Sequence, residues 1–171
     1  MKPEDRIVHE TDLDWMEIQP GGDFHMRMKR LGPAAGSQHL GCTMYELPPG
    51  GKAWPFHYHH GIEEAIFVLE GSGTLRLGDR RQTVTPGTFV ALPVGEDSAH
   101  QMLNEGQEVL RYLCLSTMQD PDLTIYPDSN KVGLFAGRAP GGDGDRPAML
   151  TFLDLSAEKG YWQGEVPSED A

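Results

Sequence analysis

Histidines and carboxylates stand close together in the first half of the chain. Three of the seven histidines lie within residues 57–60, and two carboxylates follow at Glu63 and Glu64. Side chains alternate along a β-strand, so the imidazoles of His57 and His59 would project to one face while the residues beside them face the other way. Because neutral imidazole and carboxylate are ligands of divalent transition-metal ions, this spacing predicts a metal-chelating geometry.

Two further side chains could complete such a site. Gly61 supplies a turn after the histidines, and a strand that starts at Glu64 would bring its carboxylate back beside the imidazoles. His100 stands at the start of a later strand, after turn residues at 93–95. His60 lies out of phase with the chelating pair, so we expect it to be exposed or at the rim of the pocket.

The elements that must position these residues have the pattern of short β-strands separated by turns. Apolar and polar residues alternate in 24–29, a weaker strand precedes it near 15–18, and the strand 40–47 ends at a Pro-Pro-Gly-Gly turn. The other predicted strands are 56–59, 64–70, 74–77, 82–84, 89–92, 100–104 and 109–116. Such closely spaced strands predict an antiparallel sandwich or closed barrel, and no stretch before residue 117 has a helical pattern.

Two ordered motifs in this region resemble those of the cupins, in particular the small bacterial single-domain members. The first cupin motif is matched throughout by Gly51, His57, His59, Glu64 and Gly71. The second motif is formed by Gly87, Pro93, Gly95, His100 and Asn104. It has four residues between its last glycine and its histidine, where the family usually has two. We interpret Gly71, Gly87 and Gly95 as turn positions at which a side chain would obstruct the backbone.

The resemblance implies an all-β fold, an antiparallel double-stranded β-helix or jelly-roll barrel of six to eight strands. We expect residues 1–171 to form a single cupin domain. Its barrel core would span about 38–117, its N-terminal strands about 12–31, and a loop-rich C-terminal extension 118–171.

The resemblance also implies one divalent metal ion, held by His57, His59, Glu64 and His100. Three imidazoles and a carboxylate are compatible with Fe, Mn, Ni, Zn or Cu, so the identity of the metal stays open. With these four ligands the site keeps open positions and can be catalytic. No residue of the sequence identifies itself as a catalytic acid or base.

Several residues near the motifs are candidates for lining the barrel interior. They are His39, Trp54, Phe56, Glu63, Ile66 and Met102. Each has a plainer alternative: His39 is equally well placed for the surface, and aromatic residues at the start of a strand most often simply pack. Glu63 is the solvated neighbour of Glu64 unless a bulge exchanges their roles.

Beyond residue 117 the composition changes. We expect residues 119–130 to form a loop over the barrel, 139–145 an acidic linker, and 148–155 a last strand. Tyr161 and Trp162 would pack against the barrel or a second subunit. A homodimer is expected, formed through the strand 24–29 and this C-terminal tail.

Charge and hydropathy exclude several classes of partner. With 14 basic and 26 acidic residues the chain has a formal net charge of −12, so a nucleic acid partner is not expected. No apolar run approaches the roughly eighteen residues that a membrane-spanning helix needs. The N-terminus lacks the apolar core of a secretion signal, so the expected location is cytoplasmic, where Cys42 and Cys114 would be free thiols.

Three functions are compatible with these observations. The first is a mononuclear metal-dependent enzyme that acts on a small chelating substrate in the barrel, as a dioxygenase or a related lyase or decarboxylase. The second is a metal-dependent isomerase of a sugar or sugar phosphate, a description that several small cupins carry. Its candidate phosphate ligands are scattered: Arg27, Lys29, Arg76 and Arg111. The third is a non-enzymatic protein that binds or senses a small ligand.

Overall fold

Thirteen β-strands account for most of the regular structure in the computed structural model, which describes residues 3–142 and 149–166. The strands are β1 (Met16–Gly21), β2 (Phe24–Arg30), β3 (Leu40–Leu47), β4 (Tyr58–His59), β5 (Glu64–Glu70), β6 (Gly73–Leu77), β7 (Arg80–Val84), β8 (Phe89–Leu92), β9 (His100–Leu103), β10 (Leu110–Thr117), β11 (Asp122–Tyr126), β12 (Lys131–Ala136) and β13 (Met149–Asp154). One short α-helix, α1 (Leu31–Ala34), follows β2. Short 3-10 turns lie at Pro3–Arg6, Glu10–Asp12, Glu96–Ser98, Pro127–Ser129 and Leu155–Ala157.

The strands form three antiparallel sheets. The largest has six strands in the order β1-β2-β3-β10-β5-β8, a second has the order β13-β12-β11-β4, and a third has the order β7-β6-β9. Every neighbouring pair of strands is antiparallel. The fold is therefore the all-β jelly-roll barrel that the strand pattern and the resemblance predicted.

The hydrophobic core lies on the inner faces of these sheets. Leu47, Val68 and Leu110 are fully buried in it, on β3, β5 and β10 respectively. Side chains of β5 project alternately into the barrel and toward its surface. Ile66 and Val68 are buried, whereas Phe67 between them is 36% exposed. The same inner face continues toward Glu64, so packing of the core fixes the direction in which that carboxylate projects.

The sequence predicted several strands with the right bounds, namely 40–47, 64–70 and 89–92. The expectation that nothing before residue 117 is helical was wrong, since α1 and short 3-10 turns lie there. Gly32 of α1 packs against the backbone of β3, where a Cβ would come within 2.9 Å of the amide nitrogen of Cys42. A single turn of helix is too short to show a helical period, so the pattern could not reveal it.

The C-terminal extension differs most from the expectation. Residues 119–130 were predicted to be a loop, but they contain β11, which pairs with both β12 and β4. Turn residues flank this strand, and Asn130 adopts a left-handed φ of 47° that closes the turn to β12. The last predicted strand is confirmed as β13. The predicted linker at 139–145 lies partly outside the described residues.

The aromatic pair near the end of the described chain does not pack against this barrel. Tyr161 is 86% exposed and Trp162 is 64% exposed. Of the two expected roles for this pair, contact with a second subunit therefore stays a prediction. No helix in residues 3–142 and 149–166 is both long and apolar enough to cross a membrane.

Two motif glycines offer a matched test of backbone geometry. Gly71 and Gly87 have φ of 72° and 87°, and a Cβ would overlap the Val109 carbonyl oxygen at Gly71 but meets nothing within 4 Å at Gly87. We expect Gly87→Ala to lower the free energy of unfolding by about 1 kcal/mol through left-handed backbone strain alone. We expect Gly71→Ala to cost about 3 kcal/mol, because the neighbouring backbone must also move. Urea denaturation measures both losses, and equal losses would contradict this account.

Candidate metal centre

The predicted metal-binding residues come from three strands, one from each sheet, and the segment before one of them. His57 precedes β4, His59 lies in β4, and Glu64 and His100 are the first residues of β5 and β9. His57 and His100 are joined by two backbone hydrogen bonds, in which each amide donates to the other carbonyl, at 3.1 and 2.8 Å. This bridge fixes the two imidazoles beside one another, with ring centroids 4.6 Å apart.

The side chains of His57, His59 and Glu64 lie close enough together to hold one ion, and His100 lies beside Glu64. One ligand atom from each of His57, His59 and Glu64 lies within 4.8 Å of the others. Oε2 of Glu64 is 3.5 Å from Nε2 of His59 and 3.4 Å from Nε2 of His100. Two ligands at 2.0–2.1 Å from one ion lie about 3.0–3.4 Å apart in octahedral or tetrahedral geometry, so these spacings fit a shared ion.

Each imidazole is oriented by a hydrogen bond on its other nitrogen. Nδ1 of His57 donates to the Pro55 carbonyl at 2.7 Å, and Nδ1 of His100 donates to the Ser98 carbonyl at 3.0 Å. Nδ1 of His59 lies 2.6 Å from Oδ2 of Asp122. Since each Nδ1 is engaged with an acceptor, Nε2 is the nitrogen left for a metal in all three rings.

Asp122 and Thr124 contact His59 in the candidate site, and sequence reasoning missed both of them. Both lie on β11 and are 1% exposed. Asp122 accepts from the Gly61 amide at 2.8 Å and from the Thr124 hydroxyl at 2.9 Å while it holds His59. The only local signal is the alternation of polar residues at 122 and 124, which the surrounding turn residues obscured.

The carboxylates around His59 control its protonation. Burial alone would lower the pKa of His59, but hydrogen bonds to Asp122 and Glu64 outweigh it and raise the pKa to about 9. Burial, together with the neighbouring His100, lowers the pKa of His57 to about 3. Glu64 keeps a pKa well below its usual range, because hydrogen bonds to His100 and His59 outweigh its burial.

These shifts predict that metal binding releases a proton. At pH 7 the metal-free His59 carries a proton that a metal ligand cannot keep, whereas His57 is already neutral. We therefore expect about one proton to be released per ion, and the affinity to rise about tenfold per pH unit from pH 7 until it levels off above pH 9. Calorimetry of Zn²⁺ binding in buffers of different ionisation enthalpy measures this release, and a count near zero would contradict it.

A cavity of about 560 Å³ opens directly onto the four side chains. Of the residues predicted to line it, Trp54, Ile66 and Met102 do so. Most of the wall is aromatic or aliphatic: Met28, Pro33, Tyr45, Ala53, Trp54, Pro55, Ile66, Met102, Tyr112, Met118, Tyr126, Phe135, Pro140, Leu150 and Phe152. The site therefore opens onto a largely apolar chamber.

Three predicted lining residues lie elsewhere. His39 precedes β3 and is exposed. Glu63 is also exposed, because adjacent side chains project to opposite faces and its neighbour Glu64 faces the chamber. Phe56 is buried but lines a separate cavity, where its ring packs 3.6 Å from the guanidinium carbon of Arg76. His60 is exposed, as its phase predicted.

Comparisons with known proteins agree with this geometry. Residues 43–116 match the Cupin_2 family, described as a cupin domain. Auxin-binding protein 1 from Arabidopsis thaliana is 31% identical over 101 residues, which are 54% of this chain and 50% of that protein. The chain thus spans about half the length of this curated relative.

Solved structures share the fold. A proposed sugar phosphate isomerase from Acidithiobacillus ferrooxidans matches with a TM-score of 0.77 and 24% identity, over 93% of this chain and 98% of that one. The polyketide cyclase RemF from Streptomyces resistomycificus matches with a TM-score of 0.57 and 30% identity, over 65% and 78% of the two chains. Sequence match, barrel and fold neighbours agree, and the chain belongs to the cupin superfamily, with its cupin domain at residues 43–116.

Proposed function

We propose that the chain is a mononuclear metal-dependent enzyme whose substrate is small, largely apolar or aromatic, and carries a chelating pair of oxygens. The observation that supports this most directly is the cluster of ligand atoms from His57, His59 and Glu64, with Nε2 of His100 3.4 Å from Glu64, on the wall of a largely apolar chamber. In this proposal His57, His59, Glu64 and His100 hold one divalent ion. That ion supplies open coordination positions at which two substrate oxygens are bound and polarised.

The chamber wall suits an apolar substrate body. The rings of Tyr45 and Tyr112 stack with centroids 5.3 Å apart, and both residues are buried. Tyr126 packs its ring against His57 at 6.0 Å, so aromatic surface reaches the ligands themselves. Such a wall excludes water from the polarised oxygens and orients a flat substrate by packing rather than by many hydrogen bonds.

The wall offers little for proton transfer, and this favours a dioxygenase over the lyase or decarboxylase reaction. Among the residues that the structure describes, Glu64 is the one carboxylate lining the chamber, and the proposal uses it as a ligand. Burial raises the pKa of Tyr126 to about 12 and raises the pKa of Cys114, so both stay protonated at neutral pH. A dioxygenase whose substrate already carries an acidic chelating group needs the least proton transfer from the side chains of this wall.

The sugar phosphate isomerase hypothesis has weaker support. The Acidithiobacillus structure carries that description, but at 24% identity its likeness shows the fold alone. An isomerase needs a base that moves a proton between carbons, and no free carboxylate lines the described chamber. The four phosphate ligands that the sequence suggested are engaged outside it: Arg27 and Arg111 with Glu46, Lys29 with Glu10, and Arg76 with Asp128. The cations in the described wall are Arg30 and Lys131 instead.

Two relatives bear on the choice between enzyme and binding protein. RemF is described as a polyketide cyclase, and a polyketide is a carbonyl-rich compound of the kind that this chamber would accept. The Arabidopsis relative is described as a binding protein, so a chamber that binds its ligand without turnover is the second candidate function. An enzyme and a binding protein would have the same chamber wall, and turnover of the bound ligand distinguishes the two functions.

The test is oxygen consumption with chelating probes. Protein loaded with Fe²⁺, Mn²⁺, Ni²⁺, Cu²⁺ or Zn²⁺ is mixed with acetylacetone or with 4-propylcatechol, and oxygen uptake and products are followed. We expect one of the redox-active metals to support uptake of about one O₂ per probe consumed. Products without oxygen uptake would favour the lyase reaction, and binding without turnover would favour the binding protein. Failure of every loaded form to bind either probe would overturn the proposal.

A further inference from the structure

Arg30 stands out in the wall of the chamber. It is the last residue of β2, it is partly buried, and it lines the cavity. Its Nε is the one buried side-chain polar atom without a hydrogen-bond partner among the residues that the structure describes. A buried donor without an acceptor is costly, so such an atom at a cavity wall calls for an acceptor supplied by a ligand.

The rest of the guanidinium is fixed in place. Its Nη2 donates to the carbonyl oxygens of Gly141 and Gly142. No carboxylate in the described part of the chain forms an ion pair with Arg30, whereas Arg27, Arg76, Arg81 and Arg111 each have one. Within residues 3–142 and 149–166, no carboxylate therefore neutralises the charge of Arg30, while two backbone carbonyls hold its position.

The chamber is positive in a strongly acidic protein. Its described wall carries two cationic side chains, Arg30 and Lys131, and a single acid, Glu64. The ammonium of Lys131 lies 5.1 Å from the Tyr126 ring centroid and has no ion-pair partner in the described residues. The formal net charge of the whole chain is −12, so this excess of positive charge is local and would attract an anion into the chamber.

Strand pairing sets the distance between Arg30 and the metal-binding residues. Arg30 pairs with Thr43, which pairs with Cys114, which pairs with Ile66 on the strand of Glu64. Three strand spacings separate Arg30 from β5, about 14 Å between α-carbons along the sheet. Arg30 thus lies three strands away from the strand of Glu64 in the same sheet, and both side chains line the chamber.

We propose that Arg30 binds a carboxylate at the end of the substrate that lies away from the metal ligands. This inference rests on the proposed function and names its substrate class: a largely apolar or aromatic monocarboxylate with a chelating oxygen pair at its other end. Arg30 is then a specificity-determining residue, because a guanidinium pairs with a carboxylate through charge-assisted hydrogen bonds that a neutral analogue cannot replace.

The test compares two probes that differ only in the distal charge. 3-(3,4-Dihydroxyphenyl)propanoate and its methyl ester share one chelating catechol, and their Kd values are measured with Zn²⁺-loaded protein. We expect the wild type to bind the acid at least tenfold more tightly than the ester. Arg30→Met should remove this preference by weakening only the acid, and Arg30→Lys should retain part of it.

Two controls make the outcomes distinct. Arg81→Met removes a cation that is paired with Glu105 outside the chamber and should leave the preference unchanged. Unchanged ester binding by Arg30→Met shows that the variant folds and holds its metal. Equal binding of acid and ester by the wild type, or equal weakening of both by Arg30→Met, would overturn the role of Arg30 alone. Failure of the wild type to bind either probe would overturn the chelating site and the role of Arg30 with it.

Discussion

We expect replacement of both His57 and His59 by alanine to abolish stoichiometric metal binding. The two imidazoles supply half of the proposed ligand set, and the remaining pair, Glu64 and His100, does not form a closed site. Wild-type and variant proteins are incubated with one equivalent of Zn²⁺ or Mn²⁺, passed through a desalting column, and analysed for bound metal. We expect near one equivalent in the wild type and less than about a tenth of that in the double variant.

The matched control for this change is His60→Ala. His60 belongs to the same histidine cluster but is exposed and points away from the site. Its replacement should leave the metal content unchanged. If the loss of any histidine in the cluster lowered the metal content, His60→Ala would lower it as well as the double variant. Retention of a full equivalent by the His57→Ala, His59→Ala protein, with a circular dichroism spectrum like that of the wild type, would overturn the ligand assignment.

We expect replacement of Asp122 by asparagine to weaken metal binding by about 10- to 100-fold, although Asp122 is not among the proposed ligands. The carboxylate fixes the ring of His59 through a 2.6 Å contact with Nδ1 and raises its basicity. An amide keeps the size of the side chain but loses the negative charge. Competition with a chelator of known affinity measures the Zn²⁺ Kd, and an unchanged Kd would contradict the role of Asp122.

A second readout separates this positioning role from a general loss of stability. Without the Asp122 carboxylate the pKa of His59 falls toward the value that its burial dictates, so fewer protons are released when Zn²⁺ binds. Asp120→Asn, an exposed change two residues earlier on the same segment, should alter neither the affinity nor the proton count. Equal effects of the two substitutions would point to disturbance of the segment rather than to Asp122.

Most of the barrel could be predicted because its strands and motifs are encoded by residues that lie close together in the sequence. Short strand-like runs between regularly spaced turn residues identified β3, β5 and β8, and the resemblance to the cupin motifs predicted that His57, His59, Glu64 and His100 lie together. Because side chains alternate along a strand, the sequence also predicted that His60 faces away from His57 and His59.

The C-terminal contribution could not be predicted in the same way. β11 has only five residues, and the turn residues on both sides of it give the composition of a loop. Its pairing with β4 joins residues more than sixty positions apart, which no local pattern encodes. Asp122 and Arg30 therefore became visible only once β11 and β2 had been placed around the chamber.

The expected homodimer stays a prediction. The exposed tail carries Tyr161 and Trp162, and β13 beside it exposes Leu150, Phe152 and Leu153 on an edge strand. Exposed apolar surface of this kind suits burial against a second chain. Sedimentation velocity of the full chain and of a Tyr161→Ser, Trp162→Ser variant would show whether this tail holds two copies together.

Elemental analysis of untagged wild-type protein tests the central claim most directly. The protein is purified without chelators or nickel resin, its metal content is measured, and an EPR spectrum is taken from the same sample. We expect about one equivalent of a single divalent transition metal, with a spectrum that shows nitrogen and oxygen ligation when the metal is paramagnetic. A metal-free protein that also refuses added Fe²⁺, Mn²⁺, Ni²⁺, Cu²⁺ and Zn²⁺ would contradict it.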